Sequence, residues 1–419
     1  MEFYNSISFF AIASGLIILW NLLVKIPFFP LLIKNIILFA MNIFFLYNLS
    51  GFRDFQLVII LMLALFAYSA AALIIWIKKR PHYKRIFTTI LSVFAVGILI
   101  GSLCVFKYQL VANFIISLYP TKILFDESDL SRSLLRFIGI SYAIFKMLQI
   151  VIDANRGFIK KVSLFSVFNF ICFFPVFLSG PILRYNDFEQ NLQNIKSHRC
   201  YKKFPESIYR IASGLIKTLL ISPFLFEISI SNIPDSMIMN MEWYKVLVVM
   251  YAYGFYIYCD FSGYCDMAIG LSALMGFRVP ENFNNPFFSR NIQEFWQRWH
   301  ITLSHWLRDY FYYPLLKWQM KVFKIRNIML PASVMFLTFM LMGIWHGFTL
   351  TNLYYGMYHG AGLAFFMIFN DKTKQTRLGI WMKNSKIWKA AAIIITFHFY
   401  FLSFLVFCGK IIPFFKALI

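Results

Sequence analysis

The sequence predicts an all-α polytopic membrane protein with about ten transmembrane helices and a few shorter re-entrant or interfacial helices. Of its 419 residues, 60% are hydrophobic and only 14% are charged, whereas a soluble domain is about half apolar and a quarter charged. The apolar residues gather in runs of about 20, the length that crosses a bilayer. The 51 Phe, 23 Tyr and 10 Trp suit lipid-facing helices with aromatic interface belts.

Ten segments are long and apolar enough to be predicted spans. They are residues 6–24, 30–48, 55–77, 86–106, 134–152, 206–229, 243–260, 329–348, 351–369 and 390–408. Segments 108–120 and 164–180 are shorter, or interrupted by Pro175, and are predicted to be re-entrant or interfacial. The first run has no basic leader, so we expect a span there rather than a removable signal.

Basic loops predict the orientation of these spans. The cluster between Lys78 and Arg85 is expected to be cytoplasmic, because short cytoplasmic loops are enriched in Lys and Arg. Counting spans from it places the later basic tracts on the same side, the acidic loop 126–129 outside, and both termini outside the cytoplasm. The expected location is a cell membrane. Topology and anionic lipid account for the net charge of +22, so no nucleic acid partner is expected.

The chain is predicted to form a single integral membrane domain over residues 1–419, with N-terminal spans in 1–133. No repeat period is visible. Residues 260–330 differ from the rest, being too polar for spans yet rich in Trp, Phe and Tyr. Such a segment is typical of amphipathic helices that lie at the interface or line a cavity. We therefore expect a functional site to be built from it.

Two carboxylates stand where the apolar run before this segment ends, at Asp260 and Asp266. A carboxylate at membrane depth is costly and normally faces a partner inside the protein. One interpretation is a proton relay or an orienting group. The other, which we favour, is a buried ion pair or a helix cap, with Ser262 and Gly263 breaking the helix. Asn282 follows in a Pro- and Asn-rich turn that is expected to position the next helix.

A helix is predicted over residues 295–309. On it, His300, Ser304 and Arg308 would form a stripe at positions i, i+4 and i+8. That stripe would align an imidazole, a hydroxyl and a guanidinium, which favours a role in lining a site. The alternative is an interfacial helix with an aromatic belt, to which Trp299 and Trp306 would belong.

His346 ends the apolar run 329–348, within the sequence Gly343–Gly347. Imidazole is the side chain that exchanges protons most readily near neutral pH, and a polar group in hydrocarbon needs a partner or a function. A hydrogen-bonded core histidine is the alternative, and it is what we expect for His359. The sequence has no metal-ligand spacing, no nucleophile elbow and no phosphate-binding loop. A histidine in this setting suits general-base chemistry on a hydroxyl.

Taken together, these motifs resemble the membrane-bound O-acyltransferase superfamily. The resemblance covers residues 134–408 and rests on five elements: Asp260–Tyr264, Asn282–Phe283, Phe295–Ser304, Trp306–Asp309 and Gly343–Gly347. It implies ten or eleven transmembrane helices around a central tunnel. His346 stands at the position of the family's invariant histidine and His300 at that of its second active-site residue, which implies that both are catalytic.

The resemblance also implies a mechanism. His346 would take a proton from an acceptor hydroxyl, while His300 would position the acyl donor or stabilise the oxyanion. Trp299 and Trp345 would shape the tunnel and exclude water. Supporting roles are expected for Ser304, Arg308, Asp309, Asp260 and Asn282.

Within the family, the chain resembles the bacterial branch that acylates cell-envelope polymers. Its compact length and its ending at Leu402–Gly409 favour D-alanyl transfer to teichoic acid, from a phosphopantetheine thioester on a carrier protein at the cytoplasmic face. The segment Ser262–Gly270 instead resembles O-acetyltransferase subunits for alginate or peptidoglycan, with acetyl-CoA as another donor and an extracytoplasmic acyltransferase as a further partner. No tightly bound cofactor is expected. Membrane lipid and the envelope glycopolymer acceptor are the other expected partners. A proton-coupled transporter or flippase and a scaffold for an export complex remain as alternatives.

Overall fold

The computed structural model describes residues 7–24, 30–48, 54–80, 83, 85–108, 139–195, 204–324 and 327–418. Within these ranges the chain is helical and no β-strand occurs. The segment 108–120, the acidic loop 126–129 and the basic loop 196–203 were singled out in the sequence. Apart from Tyr108, they lie outside the described residues.

The chain divides into two compact units. The first comprises Met1–Ser213 and Tyr264–Pro280, and the second comprises Gly214–Gly263 and Glu281–Ile419. The helices up to the first crossing between units are α1 (Ile7–Val24), α2 (Leu31–Tyr47), α3 (Asp54–Lys78), α4 (Arg85–Lys107), α5 (Ile140–Arg156), α6 (Leu164–Cys172), α7 (Tyr185–Gln193) and α8 (Phe204–Leu215). The chain passes into the second unit at Gly214, near the end of α8. A π-helical turn, Ile216–Ile221, follows α8 directly.

The helices that follow include α11, within which the chain returns from the second unit to the first. They are α9 (Ser222–Glu227), α10 (Asp235–Met239), α11 (Trp243–Leu274), α12 (Ile292–Trp296), α13 (Ile301–Leu307), α14 (Tyr313–Phe323), α15 (Met329–His346), α16 (Leu350–Thr373), α17 (Arg377–Asn384), α18 (Lys386–Phe407) and α19 (Ile411–Leu418). A second π-helical turn, Arg308–Tyr312, joins α13 to α14.

Six of the described helices are long and apolar enough to cross a membrane: Gln56–Lys78, Arg85–Lys107, Phe204–Glu227, Trp243–Leu274, Met329–His346 and Lys386–Phe407. Each overlaps a predicted span, although Trp243–Leu274 extends well beyond the predicted end at residue 260. The other four predicted spans fall on α1, α2, α5 and α16, whose described parts are shorter or more polar. Segment 164–180 forms only the nine-residue α6 and a 3-10 turn, which is too short to span, as expected.

The first unit contains buried polar groups that are satisfied by one another. Asn169 on α6 donates to the side-chain and backbone oxygens of Asn35 and accepts from Asn42. The ammonium of Lys146, which is 1% exposed, donates to the backbone carbonyls of Phe170 and Ile171 at the end of α6. A cation is favourable at a helix C-terminus. Part of the positive charge therefore lies inside the helical core rather than in the loops.

The helix α11 corrects one expectation. It runs for 32 residues without a break at Ser262 or Gly263, so residues 260–274 belong to a long helix and not to an amphipathic segment. A Cβ on Gly263 would lie 2.9 Å from the carbonyl oxygen of Gly214. The glycine therefore allows close helix packing instead of ending the helix. Asp266 pairs with Arg210 on α8 at 2.8 Å, which confirms the ion-pair interpretation for this carboxylate.

The hairpin of α15 and α16 determines where His346 lies. A Cβ on Gly343 would lie 2.3 Å from the carbonyl oxygen of Asn352, and one on Gly356 would lie 2.5 Å from that of Phe339. Only glycine permits this approach of two helix backbones. The side chain of Thr349 caps α16 by accepting from the backbone N–H of Asn352, so the connection after His346 is short and defined.

Candidate active site

The segment around His300 is a turn and not part of a helix. His300 adopts a left-handed conformation, with φ of 43°, and α13 begins only after it. The predicted helix over 295–309 is therefore wrong. The reason is non-local: Asn284 donates its backbone N–H to the carbonyl of Arg298, and Ile301 donates to the carbonyl of Asn282. These contacts use backbone groups that a continuous helix would pair internally.

The predicted stripe of His300, Ser304 and Arg308 is consequently wrong as well. Ser304 is half-buried on α13. Arg308 is exposed at the start of the π-helical turn, where its guanidinium contacts the carboxylate of Asp309 at 2.8 Å. The structure pairs Arg308 with Asp309 instead of aligning it with the imidazole of His300.

Asn282 lies at the centre of the His300 turn and is completely buried. Its side-chain oxygen accepts from the backbone N–H of Thr302 at 3.2 Å and from the Thr302 hydroxyl at 2.9 Å. The same oxygen lies 3.2 Å from Nδ1 of His300. Because a carbonyl oxygen only accepts, Nδ1 of His300 carries the proton and Nε2 carries the lone pair.

His300 is held in the neutral form. It is 4% exposed, and the edge of the Phe261 ring meets its imidazole with centroids 4.7 Å apart. Burial, with a smaller contribution from the nearby imidazole of His346, lowers the pKa of His300 to about 3. A neutral imidazole with its proton on Nδ1 accepts a hydrogen bond at Nε2 and does not donate one there.

His346 has a different environment. It is the last residue of α15 and its side chain is exposed. The rings of Trp345, Tyr355 and Phe407 surround it, with centroids 4.8, 6.0 and 5.7 Å from the imidazole. The carbonyl end of a helix favours positive charge. This imidazole is therefore both accessible and suited to receiving a proton.

The two tryptophans named from the sequence differ in position. Trp299 is 5% exposed and packs among aromatic rings that include Phe295, Phe283 and Tyr400, with centroids 5.7, 5.0 and 4.9 Å away. It supports the His300 turn from within the core. Trp345 is half-buried directly beside His346, so it is the one that borders the exposed imidazole.

Asp260 is 8% exposed on α11, and its side chain interacts with Ser222 at the start of α9. Its neighbour Phe261 meets His300, so this turn of α11 supports the site through an aromatic contact. No group of three His, Cys, Asp or Glu that could hold a metal occurs among the described residues.

Sequence reasoning missed Thr302 and Tyr355. Thr302 shares the acceptor oxygen of Asn282 with His300, and Tyr355 stacks edge-on against His346. Thr302 is two residues from His300 and gave no periodic signal. Tyr355 lies one turn before His359, for which only a hydrogen-bonded core position was expected.

The fold and the site define a class of protein. The chain is a multi-pass helical membrane protein in which a buried neutral histidine and an exposed histidine lie near each other. A sequence model of MBOAT, the membrane-bound O-acyltransferase family, matches residues 39–409. The chain therefore belongs to this family and is an acyltransferase.

Several relatives are similar over most of this match. The teichoic acid D-alanyltransferase of Bacillus subtilis (strain 168) is 37% identical over 281 residues, which cover 66% of this chain and 70% of that protein. The enzyme of the same name from Streptococcus thermophilus is 34% identical, covering 67% and 70%. The probable alginate O-acetylase AlgI of Pseudomonas syringae pv. tomato is 37% identical, covering 63% and 50%.

Proposed function

We propose that this protein transfers a D-alanyl group from the phosphopantetheine thioester of a carrier protein to hydroxyls of a cell-envelope polymer such as teichoic acid. The observation that carries the proposal is the match to the two D-alanyltransferases, of which the chain covers 70% each. By comparison, this chain covers only about half of the length of the AlgI relative.

The proposed chemistry begins at His346. Its imidazole takes the proton of the acceptor hydroxyl as the oxygen attacks the thioester carbonyl. The tetrahedral intermediate then collapses, the carbon–sulfur bond breaks, and the departing thiolate takes the proton back from the imidazolium. The products are an ester and a free thiol, and His346 returns to its starting form. The exposed imidazole at the end of α15 supports this role.

His300 has a complementary role in the proposal. Of the two roles expected for it, donation to an oxyanion requires a proton on Nε2, whereas Asn282 holds the proton on Nδ1. The geometry therefore favours positioning: Nε2 accepts a hydrogen bond from an N–H of the donor, either a pantetheine amide or the alanyl ammonium. Because the pKa of His300 is low, this group remains an acceptor throughout the catalytic cycle.

The proposal includes an arrangement in the membrane. The thioester enters from the cytoplasmic face, the acceptor hydroxyl reaches the site from the opposite side through a central tunnel, and both termini are extracytoplasmic. Trp345 beside His346 excludes water that would hydrolyse the thioester. Membrane-impermeant thiol labelling of single cysteines introduced at Ser6 and Lys416, in a variant that lacks the six native cysteines, would test the sidedness.

The decisive experiment uses the full chain in nanodiscs with a D-alanyl carrier thioester and a glycerol phosphate oligomer. We expect His346→Ala to lower the rate about 10²- to 10⁴-fold and His398→Ala, at an exposed histidine on α18, to change it little. Normal turnover by folded His346→Ala protein would overturn the proposal.

A second candidate is O-acetyl transfer, which the similarity to AlgI favours. The two are separated by offering the D-alanyl thioester and an acetyl thioester, on the carrier or as acetyl-CoA, to the same preparation. Preference for the acetyl donor would reverse the assignment, and an extracytoplasmic acyltransferase would then be the expected partner. The transporter and scaffold alternatives lose their support because the family is one of acyltransferases.

A further inference from the structure

A third histidine, His359 on α16, is completely buried. Its Nδ1 accepts a hydrogen bond from the indole N–H of Trp296 at 3.4 Å. Because the indole can only donate, Nδ1 is unprotonated and the proton of the neutral ring is on Nε2. That Nε2–H is buried and has no hydrogen-bond partner.

Core packing alone does not explain a histidine at this position. An unpaired buried donor lowers stability, whereas a phenyl or leucyl side chain would fill the space without one. The neighbouring Tyr400 also has a buried hydroxyl without a partner, and its ring centroid lies 6.4 Å from that of His359. Native proteins leave few such groups unpaired, and each calls for an explanation.

The explanation is suggested by what His359 touches. On α16 its ring contacts Tyr355, one turn earlier, with centroids 4.7 Å apart, and Tyr355 in turn contacts His346 at 6.0 Å. On the other side its partner Trp296 ends α12, four residues before His300. His359 therefore joins the helix that supports one site histidine to the helix that leads into the other.

We propose that His359 is a positioning residue that sets the separation of His300 and His346 by holding Trp296 through Nδ1 and Tyr355 through its ring. The inference rests on the proposed function, since it concerns the geometry in which the acyl donor meets the acceptor hydroxyl. Neither substrate touches His359, because the side chain has no exposed surface.

The test compares two substitutions in the nanodisc assay. His359→Leu fills the space but removes the acceptor, and we expect kcat to fall about 10- to 100-fold with the KM for the thioester changed less than about twofold. His359→Asn places an amide oxygen where Nδ1 lies, and we expect it to restore kcat to within about threefold of the unmodified protein. A role limited to stability would lower the amount of folded protein without this pattern.

The route through Trp296 is tested separately. Trp296→Phe removes the donor and keeps an aromatic ring, so it should lower kcat as His359→Leu does, and the double variant should be no worse than about twofold below either one. If His359→Leu does not fold, Trp296→Phe alone carries the test. The matched control is His398→Leu, which replaces an exposed histidine on α18.

The inference is overturned if folded His359→Leu or Trp296→Phe protein keeps kcat within twofold, or if His359→Asn is as impaired as His359→Leu. These failures are distinct from failure of the proposed function. An active His346→Ala variant would remove the proposed function itself, whereas an inactive His346→Ala beside an active His359→Leu would remove only the role of His359.

Discussion

The side-chain oxygen of Asn282 lies 3.2 Å from Nδ1 of His300 and also accepts from the backbone N–H and the hydroxyl of Thr302. The backbone donor identifies this atom as the amide oxygen, and so determines the tautomer of His300. An asparagine in a proline-rich turn thereby decides which nitrogen of a histidine 18 positions later carries the proton.

Replacing Asn282 should impair catalysis through His300. In Asn282→Leu the imidazole is free to adopt either tautomer or to rotate, and we expect kcat/KM for the thioester to fall about 10- to 100-fold. Steady-state kinetics in nanodiscs measure this. Asn282→Asp keeps an acceptor at the same place and should lose less. The tautomer argument fails if the leucine variant folds and keeps the full kcat/KM.

Asn282 and the His300 turn also show how far the sequence could predict the site. The motifs drew attention to both histidines and Asn282, because polar and aromatic residues are unusual beside apolar spans. The structure brings Asn282 and His300 into contact, and the catalytic roles of the histidines stay predictions. Helical periodicity then placed His300, Ser304 and Arg308 on one face. It failed because the backbone of 282–284 pairs with that of 298–301, and such pairing between distant segments leaves no periodic pattern in the sequence.

The helices show the same limit. Lengths of apolar runs predicted all six helices that are long and apolar enough to cross a membrane. The end of α11 was placed too early because Asp260 and Asp266 suggest a boundary. Asp266 lies inside the helix, where its charge is paired with Arg210 on α8. The sequence does not reveal this pairing, because the two residues are 56 positions apart. The link from His359 to Trp296 is equally non-local, with 63 positions between the two residues.

The low pKa of His300 predicts a dependence of stability on pH. The pKa is about 3 in the folded protein and 6.5 for an unperturbed histidine, so between these values the unfolded chain binds a proton that the folded protein does not. The contribution of His300 to the free energy of unfolding should therefore be fully retained above pH 6.5 and be lost as the pH drops towards 3, by at most about 1.4 kcal/mol per pH unit.

His300→Gln removes this contribution and should make the acid side of the stability profile less steep. Thermal unfolding in nanodiscs between pH 4 and 7 measures the slope for both proteins. His398→Gln serves as the control, because that histidine is exposed. An unchanged slope in His300→Gln would show that His300 is not the group responsible.

The crossing of α15 and α16 predicts a sharp difference between two glycines. Gly343→Ala places a Cβ 2.3 Å from the carbonyl oxygen of Asn352. We expect it to destabilise the protein by about 1–3 kcal/mol and to lower turnover, because His346 follows three residues later. Gly97→Ala on α4 meets nothing within 4 Å and should cost no stability. Unfolding temperature and turnover per folded protein measure both, and equal effects of the two substitutions would contradict the crossing.

The ion pair of Arg210 and Asp266 distinguishes a structural carboxylate from a proton relay. The side chains are 31% and 13% exposed, so Arg210→Met removes the guanidinium that faces a largely buried carboxylate, and we expect a loss of at least about 1 kcal/mol of unfolding free energy. The double variant Arg210→Met/Asp266→Leu removes both charges and should recover most of that stability, since an ion pair in such a place is replaceable by apolar packing. A relay requires a titrating carboxylate and would leave the double variant inactive although folded. Unfolding temperature and acyl transfer are measured on the same preparations. A structural ion pair predicts that the double variant recovers both stability and activity, whereas a proton relay predicts that it recovers stability alone.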